Sequence, residues 1–231
     1  MDHPRGYLGL HTVTMLRDLI RKWWQVDIGF ADASGRLLDA TWGAAGTDAA
    51  DSVGNDFCRA LLAHPEGRRR CLASVREIHR RLRREPELRG PLTHSCHLGL
   101  QMAAGPVHGR DRYRGFVFAC GYSSRELSRT RIGRLRGTVH DILGRRGALE
   151  GDRVPVLGRE DTERMKDLLA YGAREMAAFE HELARREASE VQPAGAFEGL
   201  VARAPASVEV LGRLRKLAQQ SCPILLQGEP G

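Results

Sequence analysis

Between residues 92 and 122 the sequence changes period, and that stretch limits the chain to folds built on an antiparallel sheet. Residues 93–96, 98–107 and 113–120 are rich in strand formers, with Gly109-Arg110-Asp111 as a hairpin tip. Short strands joined by short turns make a meander, because each must pair with the one before it. Upstream, Ile28-Gly29-Phe30-Ala31 reads as a strand, Asp32-Ala33-Ser34-Gly35 as a tight turn and Leu37-Leu38 as a return strand. Helical period governs the rest. In residues 10–26, Val13, Leu16, Ile20, Trp23 and Trp24 fall on one face. Residues 56–63 and 68–84 are helices broken at His64-Pro65-Glu66-Gly67, and residues 132–143 form another. The expected class is α+β, an antiparallel meander with helices flanking it on one side.

The longest helical signal is residues 160–190. Met165, Leu169, Gly172, Met176, Phe179 and Leu183 step by four, three, four, three and four, a heptad seam flanked by Glu and Arg. The expectation is a coiled-coil signalling helix joining two copies of the chain, with an amphipathic helix packed within one chain as the other reading. A linker (residues 191–196) and a helix (residues 207–220) follow. A short apolar strand, residues 223–227, then leads into Gly228-Glu229-Pro230-Gly231. That is how the phosphate loop G-x-x-x-x-G-K-[ST] begins. The lysine and hydroxyl residue that meet phosphate and magnesium are not in the sequence. The chain is therefore expected to stop inside such a loop and not to hydrolyse a nucleotide by that route.

No apolar run reaches the roughly 18 to 20 residues that span a bilayer, and residues 1–7 carry no secretory core. The expected location is the cytoplasm, with no membrane partner. The net charge of +7 comes almost wholly from arginine, since only Lys22, Lys166 and Lys216 are lysine. The arginines recur at helical spacing, as in Arg76-Arg80-Arg83-Arg84, without interleaved aromatics. That pattern reads as solvated helix faces rather than a nucleic-acid surface.

Chemistry points to the cysteines. Cys58, Cys71, Cys96 and His97 are compatible with zinc or an iron–sulfur centre, although 12 and 24 intervening residues are too many for a compact finger. Consecutive strand residues point to opposite faces, so Cys96 and His97 could share a metal only if the backbone bulges. Small core residues and a redox thiol are the other readings. Cys120, within Phe116-Val117-Phe118-Ala119-Cys120, reads as strand core. Trp23, Trp24, Phe30, Trp42, Phe116 and Phe118 read as core aromatics, some of which could line a small apolar pocket.

Two resemblances follow. Residues 10–122 resemble the PocR-type sensory domain, through residues 28–35, Phe57-Cys58-Arg59, Gly67-Arg68-Arg69-Arg70-Cys71, Ser95-Cys96-His97-Leu98-Gly99-Leu100, Gly105-Pro106-Val107 and residues 113–121. The resemblance implies a PAS-like fold over residues 1–145 that senses small hydrocarbon derivatives such as short diols. Phe30, Cys58, Cys96, Phe116 and Phe118 are then the ligand-pocket candidates. Residues 197–231 resemble the opening of the AAA+ domain of sigma-54-dependent activators, through residues 200–207 and Ile224-Leu225-Leu226-Gln227-Gly228-Glu229-Pro230-Gly231. This resemblance implies ATP and magnesium in a longer protein, with Leu200, Val201, Gly228, Glu229, Pro230 and Gly231 near the nucleotide. It also implies sigma-54 RNA polymerase and DNA as partners, reached through domains beyond this chain. The expected function is the signal-sensing module of such an activator, homodimeric through residues 160–190. A cysteine-based metal, iron–sulfur or redox sensor of the same kind of regulator is the alternative.

Overall fold

A computed structural model describes residues 10–38, 54–85, 87–109, 113–144, 149, 151–190 and 210. The chain divides into two compact units, residues 1–180 and 181–231. The first holds helix α1 (His11–Trp24), strand β1 (Ile28–Asp32), helices α2 (Asp56–Leu62) and α3 (Pro65–Arg84), strands β2 (Leu92–Ser95), β3 (Gln101–His108) and β4 (Tyr113–Tyr122), and helix α4 (Arg129–Leu143). Helix α5 (Arg159–Glu190) begins in the first unit and ends in the second. Of the second unit, only the end of α5 and Val210 lie among the described residues. The linker, the helix and strand expected beyond it, and Leu200, Val201, Gly228, Glu229, Pro230 and Gly231 all fall outside them, as does Trp42.

The protein is α+β. The sheet has order β1-β4-β3-β2 and is antiparallel throughout. The expected meander is β2-β3-β4, and β1 adds to its far edge. Asp32 ends β1 in the expected turn. Its Oδ1 accepts from Ser34 N at 2.8 Å and Arg36 N at 3.0 Å, and Gly35 takes a left-handed φ of 81°. The return strand shrinks to one bridge, Ala31 to Leu37.

The expectation of helices on one side is corrected: both faces of the sheet are covered. On one face, Val13, Leu16 and Ile20 of α1 and Met165, Leu169, Ala173 and Met176 of α5 bury Ile28, Phe30, Ala103, Val107, Val117 and Ala119. On the other, α3 covers Ala31, Met102, Ala104, Phe116 and Phe118. Helices α2 and α4 extend that layer around Leu98 and Leu100. Strands buried on both faces lose the apolar–polar alternation, and β3 and β4 indeed read as unbroken apolar runs.

This arrangement also corrects the coiled-coil expectation. Met165 and Leu169 are fully buried and Met176 nearly so, all against the chain's own sheet and α1. Each such side chain contributes about 1.5–3 kcal/mol by burial, so the stripe from Met165 to Met176 is already used within the chain. Its glycine explains the fit. A Cβ at Gly172 would lie 2.5 Å from Leu16 Cδ2, so the glycine lets α1 cross α5 closely. Gly105 of β3 does the same for the α5 backbone at Leu169.

Candidate functional site

Four elements bring cysteines to one place beneath the α2/α3/α4 layer. Cys58 lies in the first turn of α2. Asn55 caps that helix by accepting from Cys58 N at 3.0 Å, and its amide also donates to Gly121 O at the end of β4. Asn55 is buried, and both of its hydrogen bonds fix Cys58 beside β4. Gly121 has a φ of 84°, and a Cβ there would meet Cys58 Sγ at 2.9 Å. Only glycine fits both demands.

Cys71 sits on α3, two turns after Pro65 starts that helix, with Ser74 and Val75 on the same side. Cys96 and His97 are not consecutive strand residues. They open a tight turn in which Gly99 N donates to Cys96 O (2.7 Å) and Cys96 N to Leu100 O (2.8 Å). Gly99 has a φ of 69°, and Arg131 of α4 donates to Leu98 O at 2.8 Å, pinning the turn. The objection based on strand alternation therefore does not apply, and both side chains reach the same cavity. Cys120 joins them from β4.

Cys58, Cys71, Cys96 and Cys120 line a cavity of about 20 Å³ with His97, Leu62, Val75, Leu98 and Met102. If round, it is about 6 Å across once the radius of a water is added. Drug-sized sites run to roughly 300–1,000 Å³, so only a very small or compact guest fits without opening. Each thiol acts electrostatically on the other three. Burial is the main cause that raises all four thiol pKa values, with Cys71 pushed up to about 12. At neutral pH they are protonated. Cys96 differs in one respect: the backbone amides of its own turn favour the thiolate, against the burial that raises its pKa.

His97 stands at the exposed mouth. Burial, then the nearby Arg70 charge, lowers its pKa. Ser74 Oγ accepts from His97 N at 3.1 Å and lies 3.3 Å from its Nδ1. Among the described residues, no three His, Cys, Asp or Glu side chains are placed to hold a single metal ion.

Of the ligand-pocket candidates, Cys58 and Cys96 line the cavity. Phe116 and Phe118 share its face of the sheet but pack in the neighbouring α3 core, rings 5.6 Å apart. Phe30 lies on the opposite face, fully buried beneath α1 and α5. Trp23, expected in the core, is exposed. Cys120 and Asn55 were missed. Strand parity could have found Cys120, which shares its face with Phe116 and Phe118. Asn55 is an ordinary helix cap in sequence, and nothing local marks its second bond.

The family model described as the sensory domain found in PocR matches residues 15–180. The chain belongs to this family. The matched stretch of the PocR domain runs from α1 through most of α5 and takes in the whole thiol cavity. No curated protein and no solved structure matches the chain. Among its described residues, no helix is long and apolar enough to cross a membrane. A PocR domain is sensory, so a regulatory role answering a small effector fits this fold.

Proposed function

We propose that this PocR domain senses a small molecule at the thiol-lined cavity and passes the signal to α5. The observation that carries the reading is a backbone connection from the cavity wall to the start of that helix. Gly121 lines the cavity. Two residues on, Ser123 N donates to Pro155 O at 2.9 Å and Ser123 O accepts from Leu157 N at 2.8 Å. Leu157 is buried two residues before α5 begins. The same strap is tied to α2, where Arg153 N donates to Asp56 Oδ2 at 2.8 Å and Asp56 N donates to Arg153 O at 3.0 Å. A guest that prefers one position of Cys58 and Gly121 therefore acts on both anchors of the strap. A ligand shifts a two-state element only through such differential affinity.

On this reading the role is regulatory rather than enzymatic, and α5 is the output. The resemblance of residues 197–231 to the opening of a sigma-54 activator's AAA+ domain supports an ATPase as the receiver, with control of sigma-54 RNA polymerase as the result. The small cavity supports an effector of a few heavy atoms, such as a short diol. Hydrogen exchange during titration with short diols tests the reading. Protection is expected to change in residues 55–58, 120–123 and 153–169 together. Changes confined to the cavity would remove the signalling route, and no change with any small effector would remove the sensor site.

A further inference from the structure

We infer that the cavity binds an iron–sulfur cluster through Cys58, Cys71, Cys96 and Cys120, with His97 outside the ligand set. This rests on the reading that the cavity is the sensor's site, and it makes the cluster, in place of a short diol, the occupant of that cavity. Four thiols from α2, α3, the Cys96 turn and β4 converge there, and the rest of the wall is mostly Leu62, Val75, Leu98 and Met102. Such a wall offers soft sulfur ligands and no carboxylate, which selects thiophilic iron–sulfur chemistry over hard cations. A single tetrahedral ion needs its sulfurs each about 2.3 Å from one point, and no such group exists among the described residues. A cluster brings a separate iron to each sulfur, so four thiols lining one gap can each take one iron without meeting at a single point.

A second observation concerns Cys96. Its tight turn, closed by Gly99 N donating to Cys96 O at 2.7 Å, keeps the Leu98 and Leu100 N–H groups close to the sulfur, and oriented backbone amides of that kind favour anionic ligands. The ring of His97 is met instead by Ser74 at the mouth. Binding is ligand exchange. A preformed cluster carried on small thiolates loses those thiolates as four iron–sulfur bonds form to cysteine. Each cysteine proton passes to a departing thiolate, and no electron is transferred.

The test uses the full chain without oxygen, offered a preformed four-iron, four-sulfide cluster on small thiolates and then desalted. About four irons and four sulfides per chain, with strong visible absorbance, are expected. Cys120→Ser is expected to retain roughly a tenth of the iron or less, while His97→Ala and Cys222→Ser retain all of it. Circular dichroism confirms that each variant is folded. Colourless folded protein, or Cys120→Ser that loads like the parent, overturns the proposal. So does one tightly held zinc per chain from zinc alone. If the cluster is refused but a short diol protects the cavity thiols, the proposal fails and the sensor reading stands. If neither binds, both fail.

Discussion

The two faces of one sheet are put to different uses. Strand β4 serves both: Val117 and Ala119 face α1 and α5, and Phe116, Phe118 and Cys120 face α2, α3 and α4. The α1/α5 side is closed by aliphatic packing around Leu169, Met165 and Ile20. The other side leaves a thiol-lined gap where α2, α3 and the Cys96 turn meet β4. The proposed sensing site lies on the side that does not close, and the proposed output helix α5 packs on the side that does.

The comparison predicts separable damage. The largest effect is expected on the closed face. Leu169→Ala should cost about 3 kcal/mol of unfolding free energy in denaturant, while leaving the labelling of the cavity thiols in the folded state unchanged. Equal disturbance of both would mean that the faces are not independent. Asn55→Ala should cost about 2 kcal/mol, since it removes a cap and leaves the buried Gly121 carbonyl unmet. Unlike Leu169→Ala, it should also speed labelling of Cys58, read by mass spectrometry of digests. Gly105→Ala brings a Cβ to 3.1 Å from Leu169 O. It should cost about 1 kcal/mol and raise hydrogen exchange in α5 without touching the thiols.

The smallest effect on neutral-pH stability concerns the thiols themselves. Burial keeps Cys71 protonated in the folded state up to about pH 12, against an ordinary value of 9.0. The unfolded chain loses that proton first. The stabilisation from a buried neutral thiol is therefore complete below pH 9 and declines between about 9 and about 12. Cys71→Ala should flatten the alkaline limb of a pH–stability curve, and an unchanged limb would place the titrating group elsewhere. At pH 7.5 the four cavity thiols of metal-free protein should alkylate at least about tenfold more slowly than a free thiol in solution.

The site was half legible in the sequence. Cys58, Cys71, Cys96 and His97 were grouped from composition alone, and the structure brings all four to one cavity. The grouping was incomplete for a geometric reason. Cys96 was read as part of a strand, but Gly99 turns the chain, so neighbours that should diverge converge. Cys120 reads as core because its strand is apolar on both faces, and only its parity with Phe116 and Phe118 hints at the face that carries the cavity.

Local sequence determined the elements. Period 3.6 gave the helices, β-rich runs gave the meander, and Asp32 to Gly35 gave the turn, because these depend on neighbours a few residues apart. Only the tertiary structure decided what each apolar stripe touches. The stripe from Met165 to Phe179 has the same spacing whether it meets a second copy or the chain's own sheet, since burial rewards area and is blind to whose surface supplies it. Gly172 lets α1 come close to α5, and Gly105 lets β3 come close to the α5 backbone at Leu169. The four-cysteine cavity was decided the same way, by contacts between residues 62 positions apart in the chain, from Cys58 to Cys120.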